Sequence, residues 1–354
     1  MRRPAAALAL LALAATACSG PTPSTPVAVA ATRSPAPVTT WSPSPAPTEP
    51  ARRPITLAFG GDVHFEGPVR RHLLADPTTV FGALAPVLSA ADLTVVNLET
   101  ALTDRGTPAD KQYVFRAPPV ALDALRAAGI DVATMANNHG IDYGPVGLAD
   151  TLAAERRSGF PLIGIGRDEA EAYAPYRATV GGWRVAVLGA SQVIAPSVSK
   201  LWPATPTRAG MASAYRVARL TAAVREARRS SDTVVVYVHW GEERQACPSD
   251  EQRELAEQLV AAGADVVVGS HAHVVQGAGR MGSGYVAYGL GNLLFYSRSA
   301  TTSVLTLTVE GRRVTRATRT PAVLRDGWTT PMRGRAARVE VARQEALAEC
   351  ANLH

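Results

Sequence analysis

Seven histidines occur in the 354-residue chain, and five of them stand beside carboxylates, amides or one another. They are His64 in Asp62-x-His64, His139 after Asn138, His239, and the pair His271 and His273. Asn97 and Glu99 form a further polar pair. Imidazole, carboxylate and amide oxygen make a ligand set suited to Zn, Mn or Fe rather than Ca. No cysteine stands among them, which argues against a thiolate zinc finger. Alternate residues of an extended strand share a face, so Asp62 and His64 point together, as do His271 and His273. Glu99 carries two oxygens, enough to bridge two ions, and Asn138 offers a neutral oxygen. Two ions about 4 Å apart would activate a water and hold both the attacking and leaving oxygens of a phosphate. In "MANNHGID", turn chemistry accounts for one Asn and for Gly140 but not for His139. His139 is either a further ligand or, one residue off, a proton donor.

Each cluster follows an apolar run that reads as a strand: "ITLAFGGDVHF", "DLTVVNLET", "DVATMANNHG", "DTVVVYVHWG" and "DVVVGSHAHV". Between them lie helical patterns, including "PPVALDALRAAGI", "GPVGLADTLAAERRSG", "AYRVARLTAAVREARRSS" and "DEQRELAEQLVAAGA". "YRATVGGWRVAVLGAS" reads as an antiparallel hairpin around Gly181-Gly182, further strands follow near the end, and residues 336–351 read as a helix. This alternation predicts an α/β fold with mixed strand directions. Ligands of open α/β sheets gather at the carboxyl ends of the strands, so five such clusters are expected to converge on one spot.

Hydrophobic residues make up 47% of the chain and charged residues 19%, enough for a sizeable core. The net charge of +6 is mild for this length, and no basic stripe with interleaved aromatics is present, so nucleic-acid binding is not expected. Residues 1–17 form a signal-type segment: Arg2-Arg3, an Ala/Leu run too short to span a bilayer, then small residues before Cys18. That ending is similar to a bacterial lipoprotein signal, which predicts lipidation at Cys18 and an extracytoplasmic, membrane-anchored or secreted protein. Residues 18–53, rich in Pro, Ser, Thr and Ala, read as an extended tether, and 54–354 as a single domain. In an oxidising compartment the two remaining cysteines, Cys247 and Cys350, are expected to pair.

"GGDVHFEG", "NLET", "ANNHGIDYG", "HWGEE", "GADVVVGSHAHVVQ" and "GLGNLLF", in this order, resemble the capsule-biosynthesis CapA family (poly-gamma-glutamate synthesis type) of the calcineurin-like metallophosphoesterase superfamily. The resemblance runs from about Ile55 to Arg325. It implies a four-layer α/β/β/α sandwich with mixed sheets and a two-metal site, filled by Mn, Fe or Zn. One ion would be held by Asp62, His64, Glu99 and His273, and the second by Glu99, Asn138, His239 and His271. His139 would donate a proton to the leaving oxygen, and Asn97, Asp142, Glu243 and Asn292 would orient ligands. The superfamily usually bridges its metals with Asp, whereas here Glu99 stands in Asn-Leu-Glu. The implied activity is metal-dependent hydrolysis of a phosphoester or an envelope or capsule polymer, with capsule-synthesis proteins as partners. The alternative is a non-catalytic protein that binds an anionic capsule polymer.

Overall fold

The computed structural model describes residues 52–354 except positions 195, 298 and 299; residues 1–51, with the signal segment, Cys18 and most of the tether, lie outside the described residues. The described residues form one compact unit. Its main strands are β1 (Ile55–Val63), β2 (Leu93–Leu98), β3 (Val132–Thr134), β4 (Leu162–Ile163), β5 (Tyr176–Val180), β6 (Trp183–Ser191) and β7 (Thr233–Trp240). They continue with β8 (Val266–His271), β9 (Ala278–Met281), β10 (Gly284–Ala287), β11 (Asn292–Leu294), β12 (Ala300–Glu310), β13 (Arg313–Arg325) and β14 (Trp328–Pro331). The helices used below are α1 (Pro68–Ala75), α2 (Ala121–Ala127), α3 (Gly144–Ser158), α4 (Val217–Ser230), α5 (Asp250–Ala262) and α6 (Gly334–Cys350).

The strands form two mixed sheets, ordered β14-β13-β12-β1-β2-β3-β4 and β9-β10-β8-β7-β6-β5, with β11 paired to the end of β1. Alternation along the strands builds four layers. Leu57, Phe59 and Val95 of the first sheet meet Val187, Val235, Tyr237 and Val268 of the second in one core. The intervening residues turn outward: Ala58, Val96 and Ala133 pack on Leu73 of α1, Leu122 of α2 and Leu148 of α3. On the other side Val236, Val238 and Val267 pack on Leu220 of α4 and Leu255 of α5. Strands buried on both faces read as continuous apolar runs, which is how β7 and β8 look in the sequence.

Local sequence fixes the pieces that matter for the site. β1 runs parallel to β2 with a register shift between Phe59 and Asp62, across Gly60-Gly61. A Cβ on Gly61 would lie 1.8 Å from the Gly291 oxygen, so the close approach of β11 requires glycine there. Ser249 and Gln252 form a capping box that starts α5. Gly181 and Gly182, both at positive φ, turn the expected hairpin. The third apolar run departs from expectation: its strand stops at Thr134, and Met135–Asn138 leave the sheet as an irregular segment.

Candidate metal centre

The clusters meet where β1, β2 and β3 of one sheet and β7 and β8 of the other end side by side. Asp62, Asn97, Glu99 and His239 are wholly buried there, and His139 and His271 nearly so. Two sets of donor atoms each fall within 4.8 Å of one another: Glu99, His239 and His271, and Asp62, Glu99 and His273. Glu99 belongs to both. Asn138 joins the first set, its Oδ1 lying 2.7 Å from His239 Nε2.

The groups around these donors hold them in place. Asn97 donates to Asp62 Oδ1 (2.8 Å) and lies 3.2 Å from His239 Nδ1. Asn292 Oδ1 lies 2.7 Å from His273 Nδ1. His239 Nδ1 is also 2.9 Å from Ser270 Oγ, the residue opposite it in the β7–β8 register. Asn137 accepts the His139 N–H and donates to Asn97 Oδ1. His271 and His273 sit at φ 91° and 56°, a left-handed conformation that costs energy for a side chain with a Cβ and that clusters at functional sites.

His139 forms a dyad with Asp142, Nδ1 to Oδ2 at 2.7 Å, and its other nitrogen lies 3.8 Å from Glu99 Oε1. The ring stacks on Phe115 at 4.0 Å, while the Phe115 N–H donates to Asp142 Oδ2. Lys111 reaches Asp142 Oδ1 (2.5 Å), the Asn138 carbonyl (2.7 Å) and His139 Nδ1 (3.1 Å).

Two of the expected site residues stand apart from the donor sets. His64 does not join either donor set. Both its ring nitrogens lie 3.1 Å from backbone N–H groups, those of Glu66 and Tyr296, and the ring stacks on Phe115 and meets Phe295 edge-on. Its ring thus packs among Phe115, Phe295 and Tyr296. Glu243 is exposed and lines the mouth of the site with Arg244, Tyr113 and Tyr296, apart from the donor sets.

The residues fit a cation. Both Glu99 oxygens and His271 Nδ1 are buried without a hydrogen-bond partner, a costly state that a positive ion would relieve. Burial, then the Asp62 charge, holds the Glu99 carboxyl well above its usual range. Burial, then the charge of His273, lowers His271 to about 3, and burial also pushes His239 down, so both imidazoles are neutral and carry a lone pair for a metal. Burial opposes charge on His273, but its hydrogen bond to Asp62 and the Glu99 and Asp62 charges outweigh it and raise it to about 10.

Cys247 and Cys350 form a disulfide, with Cα atoms 5.6 Å apart. It ties the end of α6 to the loop after β7 that carries Glu243 and Arg244. No described helix is long and apolar enough to cross a membrane.

A sandwich of this kind, with two donor sets that could hold metal ions at its strand ends, defines a mixed α/β protein. Residues 56–297 match the family model described as "Bacterial capsule synthesis protein PGA_cap", and the chain belongs to that family. It is 33% identical over 221 residues to the "Capsule biosynthesis protein CapA" of Bacillus anthracis, covering 61% of this chain and 53% of that one. It is 30% identical over 221 residues to the "PGA biosynthesis protein CapA" of Bacillus subtilis (strain 168), covering 61% and 57%. The matched region thus spans about half the length of these curated relatives. Among solved structures, a 5'-nucleotidase from Candida albicans SC5314 aligns at 11% identity with a TM-score of 0.45, over 84% of this chain and 57% of that one.

Proposed function

We propose that this protein is a metal-dependent hydrolase of a phosphoester or an anionic envelope polymer, held outside the cytoplasm by a lipid on Cys18. The observation that carries the reading is Glu99: two buried, unpartnered oxygens shared by two donor sets, with a His–Asp dyad turned toward them. Asp62, Glu99 and His273 would hold one ion, and Glu99, Asn138, His239 and His271 a second; Mn, Fe and Zn suit these donors. When bound, such ions supply Lewis-acid polarisation of a substrate oxygen and acidify water.

The protein's own groups do the rest. Asn97 and Ser270 orient His239, and Asn292 orients His273. Asp142 holds His139 Nδ1, leaving Nε2 on the metal side, where it can give a proton to a leaving oxygen. Lys111 and the Phe115 N–H fix Asp142 in turn. The names of the relatives support capsule polymer, including poly-gamma-glutamate, as the substrate class, with capsule-synthesis proteins as partners.

A second reading, a non-catalytic binder of an anionic polymer, draws on the same names and on the net charge of +6. Elemental analysis of the purified chain, made without tag histidines, separates the two. About two equivalents of metal, reduced by His271→Ala, support the hydrolase. No metal after reconstitution leaves the binding reading in front. His139→Ala should abolish hydrolysis while sparing polymer binding.

A further inference from the structure

On the far side of the turn that carries His139 and Asp142 lies a second, separate pocket of about 230 Å³. Its wall is apolar: Ile141 from that turn, then Leu148 and Leu152 from α3, all buried. Residues four apart on a helix share a stripe, and the next step along this one is Arg156, which also lines the pocket. Leu148 and Arg156 are separated by about 12 Å along the helix, at 1.5 Å per residue. Arg167 and Arg208 line the pocket as well. Arg167 pairs with Glu171 (2.7 Å), and the nearby Glu155 accepts the Leu162 N–H. Among the described residues, Arg156 and Arg208 form no ion pair. The pocket is therefore apolar along its length, with the guanidinium groups of Arg156 and Arg208 at its edge, the latter donating to the Pro203 carbonyl (3.0 Å).

We propose that this pocket binds a single-chain amphiphile with an anionic head, an alkyl phosphate or carboxylate. The chain would lie along Leu148 and Leu152, where burial of apolar surface favours it. The head would meet Arg156 and Arg208, whose planar forks suit a phosphate or a carboxylate. A wholly apolar ligand would leave the arginines unused, and a bare anion would leave the apolar wall wet.

The test is calorimetric titration of the full chain, in chelator so that no metal can capture a phosphate, with decyl phosphate below its micelle concentration. Saturable binding of one equivalent is expected. It should weaken at least about tenfold in Arg156→Gln/Arg208→Gln, the loss of charge-assisted hydrogen bonds. Ala149 is exposed beside the pocket, so Ala149→Trp should fold and block it. Decanoate in place of decyl phosphate tells a carboxylate head from a phosphate head, and saturable binding of either upholds the proposal. No binding of either, decanol binding as tightly, inorganic phosphate binding alone, or unaltered binding in Ala149→Trp would each overturn it. Binding only after removal of residues 1–51 would give the pocket to the chain's own leader, and so overturn it too.

Discussion

The His239 imidazole and the Asn138 amide meet across 101 residues of chain, Nε2 at 2.7 Å from Oδ1. His64, by contrast, lies inside an aromatic cage with its ring nitrogens 3.1 Å from the backbone nitrogens of Glu66 and Tyr296. Substituting the two should therefore have opposite consequences. Asn138→Ala is expected to lower bound metal by about one equivalent. His64→Ala should keep the metal but lose roughly 2–4 kcal/mol of stability, as for other truncations in a packed core. Metal content and urea unfolding of both variants check this; loss of metal in His64→Ala would return His64 to the ligands.

Lys111 and Asp142 form a nearly dry ion pair, with the Lys111 side chain 13% exposed and Asp142 not at all. Removing one partner strands the other charge. Lys111→Met should cost about 3 kcal/mol, and Lys111→Met/Asp142→Asn less than the sum of its parts. Strict additivity in denaturant unfolding would show that the pair is not coupled.

Asp92 and Asp232 tune stability with pH. A hydrogen bond from Arg53 to Asp92, and one from Arg184 to Asp232, holds each carboxyl at about 2. The unfolded carboxyl titrates near ~3.9. Folded values below unfolded ones mean that this stability is present above about pH 4 and is lost as pH falls toward 2. Asp92→Asn/Asp232→Asn should melt lower than the parent at pH 7, with the gap closing as the acid limb is reached. A gap that stays constant down to pH 2 would rule the linkage out.

The Cys247–Cys350 bridge closes a loop with a sequence separation of 103. On a chain-entropy account such a cross-link contributes about 4–5 kcal/mol. Dithiothreitol, or Cys350→Ser, should lower the melting temperature by a comparable amount in each case. An unchanged melting temperature under full reduction would mean that the bridge adds nothing to stability.

Much of this architecture is legible in the sequence because it rests on local patterns. Runs such as "DTVVVYVHW" mark strands buried on both faces, and the polar residues at their ends mark where those strands emerge. Ser270 was within reach, since pairing β7 with β8 puts it opposite His239. Other features depend on distant chain. Nothing near Lys111 signals its place against Asp142, because the chain between them runs through α2 and β3 before returning. His64 looks like a ligand until Phe115 and Phe295, from remote segments, close around it. Glu243 sits in a suggestive motif, but its loop carries it outward.

The donor atoms come from both layers of the sandwich: Asp62, Glu99 and Asn138 from one sheet or its exits, His239, His271 and His273 from the other. A cation seated among them would fasten the two sheets together at one end, much as the Tyr237 hydroxyl donates across to the Gly60 carbonyl beneath. Neither sheet could then come apart without surrendering the ion, so loading the centre would raise the resistance of the whole sandwich to unfolding.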